Sequence, residues 1–372
     1  MRLLFYLGHP AHYHLFRNSI SQLEGKGHSI VILIKKKDIL EELLKSSGSP
    51  YLNILPEGRK DSRAGIAWGL AKRDLRLFRH CLSHRPDLMI GTSTEITHVG
   101  KVLGIPSVNV NEDDAGVVPF YSKLSYPFAG CILSPDVCNN GKWTNKTVSY
   151  PGYHELAYLH PELFTPSKEI AARYVHPDEP YYILRFAKLT AHHDTGIRGI
   201  SPEIARQIIR LLEPSGRVYI TSERTLEEEF EPCRLKVNVL DIHHVMAFAR
   251  LYIGDSQTMA AEAGVLGTPF IRFNDFVGRI GYLKDLEEKW ELGVGIPAGQ
   301  PAQLYAVVSE LASRQDAGAE WARKRTRMLS GKINTARFMT WFFENYPGSA
   351  GECRKAGFDW NQFRNLPATD HQ

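Results

Sequence analysis

The chain alternates short apolar runs with stretches whose apolar positions recur at helical spacing. Leu3–Leu7 and Ile30–Ile34 are runs of strand length. Between them Phe16, Ile20 and Leu23 fall at i, i+4 and i+7, the stripe of an amphipathic helix, which Gly27-His28 ends. Strand-like runs follow at Leu88–Ile90, Val108–Val110 and Cys131–Leu133, separated by helical segments such as Trp68–Leu82 and Thr94–Leu103. Strands that alternate with helices predict a parallel sheet covered on both faces. The alternation restarts with strands at Tyr181–Leu184, Val218–Thr221, Leu251–Ile253 and Phe270–Phe273, and with helices at Pro202–Leu212 and Thr258–Leu266. The two halves repeat an architecture without repeating a sequence. Pro151–Pro180 between them holds five prolines, a composition that suits an interdomain connection. A helical stretch over Ala319–Tyr346 follows, and then a polar segment, 346–372, expected to be a loosely held tail. The fold class expected is α/β, with two doubly wound domains over 1–150 and 151–345.

Composition narrows the class. A chain of 372 residues has room for two domains and for an ample core without disulfides or metals. Its 43% apolar and 23% charged residues are ordinary for a soluble protein. A net charge of +4 and a pI near 8.7 fall short of a nucleic-acid-binding signature but suit an anionic ligand or an anionic membrane surface. Five scattered cysteines without a C-x-x-C argue for a reducing compartment, against a disulfide framework and against structural zinc. The opening apolar run is too short for a signal peptide, and no stretch reaches the ~18 apolar residues of a membrane span. A cytoplasmic protein is expected, with room for peripheral contact with the inner face of a membrane.

Five segments carry candidate chemistry. In the segment Leu251–Pro269, a strand leads through a tight turn into a helix. Ser256 is a natural N-cap and the amides behind it, from Gln257 on, form an anion site. Thr258 and Glu262 are four apart and share a helix face, placing a diphosphate donor one turn from a carboxylate that can accept from ribose hydroxyls. The plainer alternative is a capped strand–helix unit with a solvent-facing Glu. His9, His12 and His14 crowd the turn after the first strand, where ligands bind in open α/β sheets, so His12 or His14 is a candidate base; either could equally be a loop residue or helix cap. Asn111-Glu112-Asp113-Asp114 follows another strand, and Glu112 or Asp113 could serve as base or orient a histidine, unless the string merely stabilises a helix N-terminus. His154 and Glu155 lie in the connection, as site residues or as parts of a hinge. Arg185, and with it Lys188 ahead of His192-His193-Asp194, could neutralise a departing diphosphate. Two features point away from chemistry. Thr92-x-x-Glu95 fits a capping box. Arg73, Arg76, Arg79 and Arg85 with Trp68, Leu75 and Phe78 read as a solvated helix face, able to rest on anionic lipid if the acceptor is lipid-linked.

Gly254-Asp255-Ser256 with Glu262-Ala263 and Gly267-Thr268-Pro269 resembles the nucleotide-sugar site of GT-B glycosyltransferases and UDP-N-acetylglucosamine 2-epimerases, and Gly8-His9-Pro10 with Gly27-His28 resembles their opening strand–loop–helix. Across roughly residues 1–345 the chain is similar to the domain-of-unknown-function-354 family, itself GT-B-like, through His9-Pro10, Glu155–Leu159, Leu184-Arg185 and Gly281–Leu283. The resemblance implies two Rossmann-like domains facing across a cleft, an acceptor domain over 1–150 and a nucleotide-sugar domain over 151–345. It implies Ser256 and the amides after it, Gln257 and Thr258, on the diphosphate and Glu262 on the ribose, and the residue pattern itself adds Arg185 on the diphosphate and His12, His14, Glu112 or Asp113 as base. The expected activity is metal-independent, cofactor-free transfer of a sugar from a nucleotide diphosphate sugar, UDP-linked, to a hydroxyl of a glycan or lipid-linked acceptor in polysaccharide biosynthesis. Nucleic acid is not an expected partner. A 2-epimerase of the same fold is the alternative, although the opening loop lacks the Gly-Thr-Arg-Pro-Glu pattern of those enzymes. A non-catalytic nucleotide-sugar-binding protein is the other.

Overall fold

The computed structural model describes residues 1–36, 39–56, 63–187, 198–314 and 316–364. The chain forms two compact units: residues 1–163 together with 332–372, and residues 164–331.

The first unit carries a seven-stranded parallel sheet. Its strands are β1 (Arg2–Leu7), β2 (Ser29–Lys35), β3 (Leu52–Leu55), β4 (Leu88–Gly91), β5 (Ser107–Val110), β6 (Cys131–Pro135) and β7 (Thr147–Tyr150), in the order β3-β2-β1-β4-β5-β6-β7. The order reverses between β1 and β4, so the loops leaving these strands diverge and open a crevice at their C-terminal ends. Leu3–Leu7 is buried along its whole length, as a strand covered on both faces must be. The helix Pro10–Gly25 follows β1, with His9 as N-cap, Pro10 in its first turn, and Phe16, Ile20 and Leu23 on its buried face.

The second unit carries a five-stranded parallel sheet of β8 (Tyr181–Phe186), β9 (Arg217–Ser222), β10 (Leu251–Gly254), β11 (Phe270–Phe273) and β12 (Gly293–Ile296), in the order β12-β11-β10-β8-β9. Its order reverses between β8 and β10. The helix Gln257–Leu266 leaves β10 with Ser256 as N-cap and ends at Gly267, whose φ of +86° is the left-handed conformation that glycine adopts without strain. Two parallel-sheet, Rossmann-like domains are thus present.

Two sequence expectations are corrected. Ala319–Tyr346 is not one helix: Ala317–Gly331 and Thr335–Glu344 are separate, with Asn334 capping the second through Arg337 N. The division between the units falls in that break. The segment expected to be a loose tail packs down as far as Phe363, whose ring lies 5.3 Å from both Phe338 and Trp341.

Candidate functional site

In the second unit the strand register builds the site. Arg185 near the end of β8 pairs with Thr221 on β9 and with Gly254 on β10. All three therefore sit at the C-terminal edge of the sheet, at the reversal of strand order. Arg185 bonds Glu223 through one guanidinium nitrogen. Its Nε, Thr221 Oγ1 and Tyr252 Oη are buried and make no hydrogen bond among the described residues. An unsatisfied buried polar atom costs about 1–3 kcal/mol, so three at one edge mark a place where a ligand's oxygens would be welcome. Burial pushes the Tyr252 hydroxyl well above its ordinary pKa, against the lowering pull of Arg185 and with Asp255, Glu262 and Glu223 adding to the rise. The group is a hydrogen-bond donor at physiological pH.

The helix that starts beside this edge supplies amides. Ser256 Oγ accepts from Met259 N at 3.4 Å, so the cap serves the third amide and leaves those of Gln257 and Thr258 as open donors. Gly254 admits no larger residue: a Cβ there would stand 2.5 Å from Tyr252 Oη and 2.8 Å from Arg185 Cβ. Asp255, 1% exposed, accepts from Ala187 N at 2.6 Å and from Ile200 N at 3.2 Å. It thereby ties together the two ends of the segment after β8. Burial raises its carboxyl to about 6, against the lowering effect of those amides. Glu262 is not the solvent-facing residue of the plainer alternative. It is 5% exposed, and its Oε1 lies 3.0 Å from Nε2 of His243, which is 1% exposed.

The first unit gathers a second set. His12 Nδ1 accepts from Gly8 N at 3.1 Å. That bond fixes the neutral tautomer with its proton on Nε2, so the ring presents a donor rather than a lone pair. Burial, with His9, Lys35 and His154 nearby, holds the His12 pKa well below its ordinary value. The Lys35 ammonium reaches over the same loop; a Cβ on Gly8 would be 3.5 Å from its Nζ. His14 turns inward, its ring 5.2 Å from those of both Tyr13 and Tyr158.

His154 is arranged the opposite way from His12. Its Nδ1 lies 3.3 Å from Glu112 Oε2, which also accepts the His154 amide at 3.3 Å. Its Nε2 is buried with no partner among the described residues. A carboxylate at Nδ1 favours the tautomer whose Nε2 carries a lone pair. Burial lowers this imidazole to about 3, against a raising effect from Asp113, so it is neutral at physiological pH. Among the described residues no group of three or more His, Cys, Asp or Glu could hold a metal ion.

A family model described as a protein of unknown function, DUF354, matches residues 3–275, well over half of the chain. The chain belongs to this family. No curated protein matches the DUF354 chain. Several solved structures do. A Listeria monocytogenes protein assigned as a UDP-N-acetylglucosamine 2-epimerase is 11% identical with a TM-score of 0.69, covering 94% of this chain and 97% of its own. Staphylococcus aureus MnaA, solved with UDP, is 12% identical with a TM-score of 0.65, over 94% and 97%. The spinosyn rhamnosyltransferase SpnG, solved with thymidine diphosphate, is 14% identical with a TM-score of 0.63, over 93% and 100%. At such identities the likeness shows the fold, which is GT-B.

Within this DUF354 chain the structure brings Arg185 and the Ser256–Thr258 turn to one sheet edge. It sets Glu262 deeper, against His243, and gathers His12, Glu112 and Asp113 with His154. Lys188, His192, His193 and Asp194 lie outside the described residues. The acidic string starts no helix, since the next one begins only at Pro119; Asp114 Oδ1 instead accepts Asn139 N at 2.8 Å. Glu95 does not close a capping box. Ser93 is the N-cap of its helix, Thr92 Oγ1 donates to Val110 O at 2.5 Å, and Glu95 is buried against Arg73. Arg73, 5% exposed, is accordingly no part of a solvated face. Thr221, Tyr252, Asp255 and His243 were not singled out in the sequence. Tyr252 and Thr221 look like ordinary strand residues there, and only Asp255, inside Gly254-Asp255-Ser256, carried a signal.

Proposed function

We propose that the protein transfers a sugar from a nucleoside diphosphate sugar, UDP-linked, to a hydroxyl acceptor, without a metal. The observation that carries this reading is the edge of the second sheet. There a half-buried arginine whose Nε is buried and, like two hydroxyls, without a partner among the described residues, and two open helix amides, gather at a strand-order reversal. This set suits a diphosphate, because fixed donors stabilise the negative charge that grows on a departing phosphate oxygen. Glu262 would accept from the ribose hydroxyls.

His154, rather than His12, is the base in this proposal. Its Nε2 takes the acceptor's hydroxyl proton while Glu112 holds the ring through Nδ1. The acceptor oxygen then bonds to the anomeric carbon, and the bond from that carbon to the diphosphate oxygen breaks, its electron pair leaving with the nucleoside diphosphate. His12, whose Nε2 carries the ring proton, serves as a donor to the substrate. Incubation with a panel of nucleotide sugars and hydroxyl acceptors, read by mass spectrometry, tests the reading. Free nucleoside diphosphate with a glycosylated acceptor is expected. An isomerised sugar nucleotide would replace transfer by 2-epimerisation, and binding without turnover would leave only a nucleotide-sugar-binding protein.

A further inference from the structure

We infer that the first unit docks on an anionic lipid bilayer through the outer faces of three neighbouring helices. On the helix Arg63–His84 the positions 68, 72, 75, 79 and 82 run i, i+4, i+7, i+11, i+14 along one face. They are occupied alternately by apolar and basic residues: Trp68, Lys72, Leu75, Arg79 and Leu82. Trp68 is 67% exposed, and Leu75 and Leu82 are each 49% exposed. The opposite face, with Arg73, Leu77 and Cys81, is buried in the core. A helix with one face already in the core gains nothing in water from a second apolar stripe.

The stripe is continued by its neighbours. His98, on the helix Thr94–Leu103, has Nδ1 3.0 Å from Asp74 Oδ2, beside Leu75, and Nε2 2.9 Å from Leu124 O, on the helix Pro119–Ser125. The Phe128 ring stands 5.1 Å from the same imidazole. Phe120 is 80% exposed, and Leu124 and Phe128 are exposed beside it, with Lys123 between. Val102 and Lys101 add another apolar and basic pair.

Charge decides the occupant. The only carboxylates on these three helices are Glu95, buried against Arg73, and Asp74, engaged by His98. The exposed charges that remain among the described side chains, Arg79, Lys101 and Lys123, are all positive. Aromatic and aliphatic side chains interleaved with cations of one sign fit the headgroup layer of a bilayer containing acidic lipid. No described helix is long and apolar enough to cross a membrane, so the contact is one of lying on the surface.

Flotation of the full chain with phosphatidylcholine vesicles, with and without about one quarter phosphatidylglycerol, tests this. Binding is expected only to the acidic vesicles and should weaken as salt rises. Arg79→Glu and Lys123→Glu should each lower partitioning at least about fivefold. Trp68→Ser with Phe120→Ser should abolish it, and all four positions are exposed, so circular dichroism should be unchanged. Tryptophan fluorescence should be quenched by brominated acidic lipid in the wild type and much less in Trp68→Phe. Failure to float with acidic vesicles at low salt would overturn the inference, as would binding that survives both the charge reversals and the serine pair. Self-association that Phe120→Ser dissolves, without any vesicle binding, would assign the face to a second copy instead. None of these results depends on the transferase reading.

Discussion

Two histidines in the first unit show how much of a residue's chemistry lies outside its own letter. His12 could be picked from the sequence because a strand, a Gly and a helix start place it at a sheet edge. Its tautomer could not, because that is set by the Gly8 amide 3.1 Å from Nδ1. His154 sits among prolines with no periodicity around it. Its partner Glu112 lies 42 positions away and meets it only once the sheet is assembled. If His154 Nε2 is the base, His154→Gln should reduce kcat by about 10²–10⁴-fold while leaving nucleotide affinity nearly intact. Glu112→Gln should also lower kcat, because the tautomer is no longer enforced, and His12→Ala should cost less than His154→Gln. Steady-state kinetics with the transferred sugar as readout checks all three, and wild-type turnover in His154→Gln would rule the assignment out.

At the scale of elements, continuous apolar runs were legible even in strands of four buried residues, and strands of mixed burial were not. β1, β2, β4 to β6 and β8 to β11 carry the runs read as strands. β3, β7 and β12 have four residues each and too little pattern to stand out from their surroundings. The break in Ala319–Tyr346 had a local signal in Gly331 and the capping Asn334, which the apolar stripe on either side obscured. The turn after β10 has a property of its own. Asp255 bonds one amide with each carboxylate oxygen, and burial still raises its carboxyl from 3.8 to about 6. The protonated form is therefore favoured in the folded state. The stability this group contributes is fully present below about pH 4 and is lost as pH rises through about 6. Asp255→Asn removes that titration. The advantage of wild type over this variant should shrink by roughly 3 kcal/mol between pH 4 and pH 7. Denaturant midpoints followed by tryptophan fluorescence at several pH values measure it, and a difference that stays constant would show that Asp255 does not titrate in this range.

The whole molecule is assembled from a discontinuous first unit and a continuous second one, and that asymmetry has a mechanical consequence. Residues after 331 return to the first unit through backbone and side chain alike: Ile333 N donates to Pro151 O, Thr335 Oγ1 to Tyr153 O, and Ser19 Oγ to Ala336 O. The Phe343 ring stands 6.0 Å from Phe5 on β1 and 6.5 Å from Phe16 on the first helix. Phe338, Phe342 and Phe343 are fully buried, and a buried Phe side chain contributes about 1.5–3 kcal/mol. Three of them rival the ~5–15 kcal/mol net stability of a typical domain. A chain ending at Gly331 should therefore lose the first unit, although it keeps all seven of that unit's strands, because β1 and the helix Pro10–Gly25 would be left with an open apolar face. The second unit has no such dependence: its five strands lie within residues 164–331. That segment alone should give a cooperative thermal transition and slow-exchanging amides along β8, β10 and β11. The truncated chain should show those same protected amides while those of β1 and β4 exchange freely. Protection of β1 in the truncated chain would mean that the returning helix only covers a sheet already able to stand without it.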